Sequence, residues 1–281
     1  MASKIKIIIA KNIGFCSGVR RAILITEKSL KADSKPIQFL GSLVHNEKVI
    51  EKFIKKGVKF IKDAKEAKGG TIVIQTHGVP PNLSKKIGQQ IVIRDATCPL
   101  VKKVQLIANS LYRKGHKVII VGDKDHAETK SIKGWSESQA LIIENKNQAR
   151  KLARYKKIGV VAQTTQSLDN VNRVLKILKN KVEKIKYFNT LCPEVQARQK
   201  ELNSILKKAN GILVIGSRSS ANTKRLVEIT KKSKKPVWWV NSSEELKRKK
   251  LNNVSPLGVV SGTSTPDWII REVINKLKNT K

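Results

Sequence analysis

Short apolar runs recur along the chain, each closing on small or polar residues. Residues 5–10, 39–40, 72–74, 91–93, 118–121, 160–162, 212–215 and 258–260 are rich in β-branched side chains and too short for helices. They predict buried strands. Between them the apolar positions fall into helical spacing, as in Leu100, Val101, Val104, Leu106 and Ile107. Strands alternating with helices predict parallel sheets joined by right-handed crossovers. In such sheets the loops at the carboxyl ends of the strands gather along one edge, where ligands bind.

The pattern also repeats. The three cysteines of the chain sit in Gly14-Phe15-Cys16-Ser17-Gly18-Val19, Ala96-Thr97-Cys98-Pro99-Leu100-Val101 and Thr190-Leu191-Cys192-Pro193-Glu194-Val195, separated by 82 and 94 residues. Each ends a strand-like segment and opens a helix-like one. Pro99 and Pro193 suit a first helical turn, where a missing N–H costs nothing. A polar position follows 29 residues after Cys16 (His45, with Asn46), 28 after Cys98 (His126), and 28 and 30 after Cys192 (Ser220 and Asn222). A second follows at 61 residues (His77), at 66 and 67 (Thr164 and Thr165) and at 72 (Ser264). The expected fold is three similar small α/β domains with mainly parallel sheets, arranged as a pseudo-threefold trefoil. The repeats span 14–96, 97–190 and 191–281, with a strand from 1–13 joining the sheet of the third. Facing one another, they would set three thiolates and about six polar side chains around a central pocket.

Composition narrows the class. At 40% hydrophobic over 281 residues the chain can bury a sizeable core. It has no run long enough to span a membrane and no signal-peptide pattern at residues 1–10, so a soluble cytoplasmic protein is expected. Three cysteines are too few for a disulfide scaffold. The formal charge of +37 comes from 58 basic and 21 acidic residues, and the basic ones are 46 Lys against 12 Arg, spread over the whole length. Base-reading surfaces favour Arg and stacking aromatics, and aromatics here are 4%. The charge is therefore read as a general surface bias. It still creates a positive field that draws anionic substrates and acidic redox partners.

Three convergent thiolates are ligands for a soft metal or an iron–sulfur cluster. Closed structural sites usually take four protein ligands, so three leave a position where substrate can bind. The plain alternative is three buried structural cysteines. His45, His77, His126, Ser220, Asn222 and Ser264 are hydrogen-bond donors, several of them at predicted helix starts, which suits a phosphate. His116, in a Lys-rich stretch, reads as ordinary. Glu128, two residues beyond His126, is read as the one acidic residue at these repeat positions. It is a natural proton donor with Thr164 or Thr165 orienting it, or else a first-turn acid favoured by the helix dipole.

The motifs GFCSGVRRA, LVHNEKV, THGVPP, DATCPLVKKV, HAE, QTT, LCPEVQARQ, SSANTKRL and SGTSTPDW, in order over essentially the whole chain, resemble the 4-hydroxy-3-methylbut-2-enyl diphosphate reductase family. That resemblance implies an oxidoreductase of the last step of the methylerythritol phosphate route to isoprenoids. It implies a 4Fe–4S cluster on Cys16, Cys98 and Cys192 with one open iron, which can also be isolated as 3Fe–4S or lost altogether. It places the substrate diphosphate among His45, His77, His126, Ser220, Ala221, Asn222 and Ser264. Glu128 is implied as the proton source, with Thr164 beside the substrate hydroxyl. The positive surface points to an acidic electron donor of the ferredoxin or flavodoxin type, and no nucleic-acid partner is expected. Two departures stand out: Ala221 replaces a serine usual in the family, and Ala127 replaces a proline between His126 and Glu128. Two other classes remain open on the residues alone, a basic nucleic-acid-associated protein and a zinc-dependent hydrolase of a phosphorylated substrate.

Overall fold

The computed structural model describes residues 5–84, 87–88, 90–247, 251 and 254–279. Residues 1–4, at the head of the segment read above as free of a targeting signal, lie outside that set. The strands are β1 (Ile7–Ile9), β2 (Ile37–Leu40), β3 (Lys59–Ile61), β4 (Thr71–Ile74), β5 (Val92–Asp95), β6 (Lys117–Val121), β7 (Leu141–Ile143), β8 (Tyr155–Ala162), β9 (Val182–Tyr187), β10 (Gly211–Ile215), β11 (Val237–Val240) and β12 (Leu257–Ser261). Between and after them run the helices α1 (Ser17–Ala32), α2 (Glu47–Ile54), α3 (Pro81–Ser84), α4 (Pro99–Arg113), α5 (Ala127–Gly134), α6 (Lys146–Arg150), α7 (Leu168–Lys179), α8 (Pro193–Leu206), α9 (Ala221–Lys232), α10 (Ser243–Lys247) and α11 (Asp267–Asn279).

The strands form three four-stranded sheets, and every pairing is parallel. Written from the strand that precedes a cysteine, the orders are β1-β12-β10-β11, β5-β4-β2-β3 and β9-β8-β6-β7. One topology is thus used three times, as the parallel α/β class predicts. The outer strands β3, β7 and β11 fall in the segments that vary most between repeats. Two of them are three residues long, too short to show a period of two.

The chain divides into two compact units. One comprises Met1–Ser17, His45–Val49 and Pro193–Lys281, and holds the sheet of β1, β10, β11 and β12; the other comprises Gly18–Val44 and Ile50–Cys192, and holds the other two sheets. In the first unit, Ile212 and Val214 face Leu202, Ile205 and Leu226 on one side of the sheet. Leu213 and Ile215 face Ile269, Ile270 and Val273 on the other. In the second unit, Ile119 and Val121 pack with Val171, Val174 and Leu178, while Val118 and Ile120 pack with Val104, Ala108 and Leu111. Successive strand residues point to opposite faces, and both faces are covered, which is why central strands read as unbroken apolar runs. Among the described residues no helix is long and apolar enough to cross a membrane.

Leu202 on α8 is fully buried in this packing. Leu202→Ala removes that contact and leaves a void, so it should lower the unfolding free energy by about 2–5 kcal/mol. Equilibrium urea unfolding of the variant against wild type checks this.

Candidate active site

Each cysteine is reached in the same way. It follows an edge strand, and its N–H donates to the carbonyl of a threonine two residues beyond the end of the neighbouring strand. The pairs are Cys16 to Thr263 (3.0 Å), Cys98 to Thr76 (2.9 Å) and Cys192 to Thr164 (2.9 Å). All three thiols are half-buried and none is disulfide-bonded. Cys98 caps α4, with Pro99 as the first helical residue. Its thiol pKa is pushed up by burial and drawn back down by the N–H groups of Leu100 and Val101. A thiolate that burial disfavours, yet that backbone donors support, suits a soft cationic centre that takes over its charge.

The polar positions obey one rule as well. His45, His126 and Ser220 each lie five residues beyond the end of a strand, at β2, β6 and β10; His126 and Ser220 stand directly before their helices, and His45 two residues before α2. His126 caps α5, accepting at Nδ1 from the Glu128 N–H at 3.2 Å. Its remaining proton therefore sits on Nε2, which makes that nitrogen a donor. Ser220 caps α9 by accepting from the Thr223 N–H at 3.3 Å, which leaves its hydroxyl hydrogen to donate. Ala221 is the first residue of α9 and contributes only backbone to that turn. Ser264 donates to the His45 carbonyl at 3.0 Å, and burial lowers the His45 pKa against the opposing pull of Glu47. His77 and His126 stand edge to face, ring centroids 5.1 Å apart. Gly78, next to His77, has φ +66°, and a Cβ there would meet the Gln105 amide at 2.3 Å, so the turn that carries His77 needs glycine.

Asn222 is buried to 1% exposure, and among the described residues neither polar atom of its amide has a hydrogen-bond partner. Buried amides are normally satisfied. An orphan at the amino end of α9, beside a capping serine, marks a place shaped for a polar ligand.

Glu128 is not the one acid at these repeat positions, as the sequence reading had it. Glu47 lies two residues beyond His45, as Glu128 does beyond His126, and Asn222 beyond Ser220. The two carboxylates differ completely in setting. Glu47 accepts from the hydroxyls of Ser217 (2.8 Å) and Ser219 (2.9 Å) and from the Asn241 amide (3.2 Å). Burial would raise its pKa, but its own backbone N–H together with these three bonds holds it below the usual range. Glu128 is 1% exposed and accepts from the Thr164 N–H (2.6 Å) and hydroxyl (2.9 Å). Burial raises its pKa from 4.5 to about 7, against those two hydrogen bonds. Of the two threonines considered, Thr164 pairs with the acid; Thr165 accepts from the Gln163 amide at 3.0 Å.

Two arginines missed by the sequence reading brace the cysteine turns. Arg198, 6% exposed, donates to the carbonyls of Gly14 (2.7 Å) and Ser261 (3.2 Å). Arg21 donates to those of Thr97 (3.1 Å) and Asp95 (3.3 Å). Arg198 lies six residues after Cys192 and Arg21 five after Cys16. The two offsets differ, and nothing local in the sequence marks either residue.

The raised Glu128 pKa has a measurable consequence. The folded protein binds a proton at Glu128 that the unfolded chain releases near 4.5, so this contribution to stability is full below about 4.5 and lost as pH rises through about 7. Its size is about 3 kcal/mol, at about 1.4 kcal/mol per pH unit. Denaturant unfolding from pH 4.5 to 8 should show wild type losing that much relative to Glu128→Gln as pH rises; parallel curves would place the Glu128 pKa at its ordinary value.

Residues 7–278 match the family model described as LytB protein. The chain is 38% identical over 274 residues to the 4-hydroxy-3-methylbut-2-enyl diphosphate reductase of Dictyoglomus thermophilum, covering 96% of this chain and 95% of that one. It is 40% identical over 277 residues to the reductase of the same name from Dictyoglomus turgidum, covering 98% and 96%. Among solved structures, the E-1-hydroxy-2-methyl-but-2-enyl-4-diphosphate reductase from Plasmodium falciparum superposes with a TM-score of 0.93 at 31% identity, over 99% of this chain and 89% of that one. A structure of (E)-4-hydroxy-3-methyl-but-2-enyl diphosphate reductase, described as the terminal enzyme of the non-mevalonate pathway, superposes with a TM-score of 0.68 at 32% identity, over 98% of this chain and 100% of that one. With this similarity along nearly its whole length, the chain belongs to the LytB family of 4-hydroxy-3-methylbut-2-enyl diphosphate reductases and is an oxidoreductase.

Proposed function

We propose that this protein reductively removes the allylic hydroxyl of 4-hydroxy-3-methylbut-2-enyl diphosphate as water, giving isopentenyl and dimethylallyl diphosphate. The observation that carries the reading is the threefold presentation of Cys16, Cys98 and Cys192. Each is held at a strand end by the same backbone hydrogen bond to a threonine carbonyl. On this reading the three are the ligands of an iron–sulfur cluster, with repeats 14–96, 97–190 and 191–281 (plus 1–13) each contributing one. When bound, a cluster with three protein ligands supplies electrons and a Lewis-acidic iron open to substrate oxygen.

The chain's own residues would do the rest. His45, His77, His126, Ser220, Asn222 and Ser264, with the backbone at Ala221, would hold the diphosphate through donors at helix starts. Fixing the diphosphate orients the distal hydroxyl. The buried Glu128 carries its proton on a carboxyl oxygen near neutral pH and hands it, directly or through the Thr164 hydroxyl, to the departing hydroxide. Two electrons and two protons balance the loss of one hydroxyl as water and its replacement by hydrogen. The electrons would come one at a time from a ferredoxin or flavodoxin type of protein.

Protein purified without oxygen should be brown, carry iron and sulfide, and oxidise a viologen reductant when given the hydroxy diphosphate. Recovery of a colourless protein holding zinc, even after anaerobic reconstitution, would overturn the reading in favour of hydrolysis. Glu128→Gln should keep the chromophore and bind substrate while turning over about 10²- to 10⁴-fold more slowly, the range for losing a general acid. Single-turnover and steady-state rates beside a binding titration measure this, and near-normal turnover would remove Glu128 from proton transfer.

A further inference from the structure

The Cys98 turn leads directly into an unusual surface. Helix α4 carries an open depression of about 430 Å³ lined by Pro99, Lys102, Lys103, Leu106, Ile107 and Ser110. Leu106 is 53% exposed and Leu100 36%, so large apolar side chains lie among lysines on a helix that faces solvent. Helix α4 has no acidic residue in its first turn. Lys102 is bonded to Asp95 at 2.7 Å, whereas the Lys103 side chain is exposed. Arg21 adds a further positive charge beside this turn through its bonds to the Thr97 and Asp95 carbonyls.

The other cysteine turns differ. After Cys192 comes the exposed acid Glu194. After Cys16 come Ser17, which is bonded to Glu194, and the buried Gly18 and Val19. Of the three turns, the one at Cys98 offers an apolar centre with a purely basic rim on its own helix. That is the composition to which an acidic protein surface is complementary. At 1.5 Å per residue Leu106, in the middle of the depression, lies about 12 Å along the helix from Cys98, and Ser110 at its far end about 18 Å. A carrier seated there would sit within one short helix of a proposed cluster ligand.

We propose that the α4 face from Pro99 to Ser110 is the docking surface for a small acidic protein that carries one electron at a time. The inference rests on the reductase reading above and adds the place where its electrons enter. Each encounter oxidises the carrier by one electron and reduces the enzyme by one, twice per turnover. Basic rim residues steer the encounter, and the apolar centre sets how long it lasts.

The test uses anaerobically reconstituted enzyme and two electron sources, a reduced acidic ferredoxin and dithionite-reduced methyl viologen. The double variant Lys103→Glu with Leu106→Glu should raise the KM for ferredoxin at least tenfold and flatten its salt dependence. Its rate with methyl viologen should stay within twofold of wild type, which also shows that the variant is folded and loaded. Lys207→Glu, the same charge reversal as at Lys103 but on the other unit, should leave both rates unchanged. An unchanged ferredoxin KM in the double variant would assign the groove to another occupant and overturn the proposal. Equal weakening by Lys207→Glu would overturn it in favour of a field spread over the whole surface. A wild-type enzyme that turns over with methyl viologen but not with any acidic carrier would overturn the docking proposal alone. Wild type inert with methyl viologen would instead overturn the reductase reading on which it rests.

Discussion

The N–H of each cysteine donates to a threonine carbonyl just beyond the end of the adjacent strand, and the placement of the candidate chemistry depends on that bond. A parallel sheet spaces its ladder hydrogen bonds evenly. A further parallel-type bond beyond the strand ends fixes where the chain enters the next helix. Thr263, Thr76 and Thr164 supply that last acceptor, so Cys16, Cys98 and Cys192 emerge at one level of their respective sheets. A helix then starts within one residue, through Ser17, Pro99 or Pro193. Backbone geometry therefore sets where each cysteine stands at the helix start. Arg198 and Arg21 reinforce this by holding carbonyls just before Cys16 and Cys98.

The same topology shows how repeated positions acquire different roles. Glu47 and Glu128 occupy equivalent places, two residues beyond a histidine at the start of a helix. Its own backbone N–H and three side-chain donors surround the Glu47 carboxylate, and they favour its charged form. Glu128 has Thr164 for company and no solvent, so desolvation dominates and keeps a proton on it close to neutral pH. One position thus yields a fixed anion that ties together the loops after β10 and β11, and a carboxyl poised to give up a proton. Environment separates the two functions; residue type does not.

Much of this was legible in the sequence because a parallel sheet covered on both faces leaves uninterrupted apolar runs. Residues 118–121 and 212–215 read as strands for that reason, and the cysteine and polar offsets exposed the repeat. The outer strands were not legible: Lys59–Ile61 and Leu141–Ile143 are too short for periodicity and take their register from a neighbour. Glu47 was passed over because an acid in a first helical turn is common, and only its three donors distinguish it. Arg198 and Arg21 looked like ordinary members of a basic chain. Their importance lies in acceptors remote in sequence, 184 and 76 residues away, and no local pattern carries such information.

The charge of the chain takes on a different meaning in this light. With 58 basic residues available, an anion site could have been built from lysine and arginine. Instead the strand-end positions hold histidine, serine, threonine and asparagine. Neutral donors held at helix starts can satisfy a phosphate oxygen without the flexible stem of lysine, and their geometry is set by the backbone. The lysines remain on the surface, where they raise the local concentration of anions and speed encounter without defining a binding geometry. On the proposed function, capture and recognition would thereby be divided between two sets of residues. Changing salt should act mainly on the first and changing the strand-end side chains on the second, because screening reaches exposed charges far more than buried dipoles.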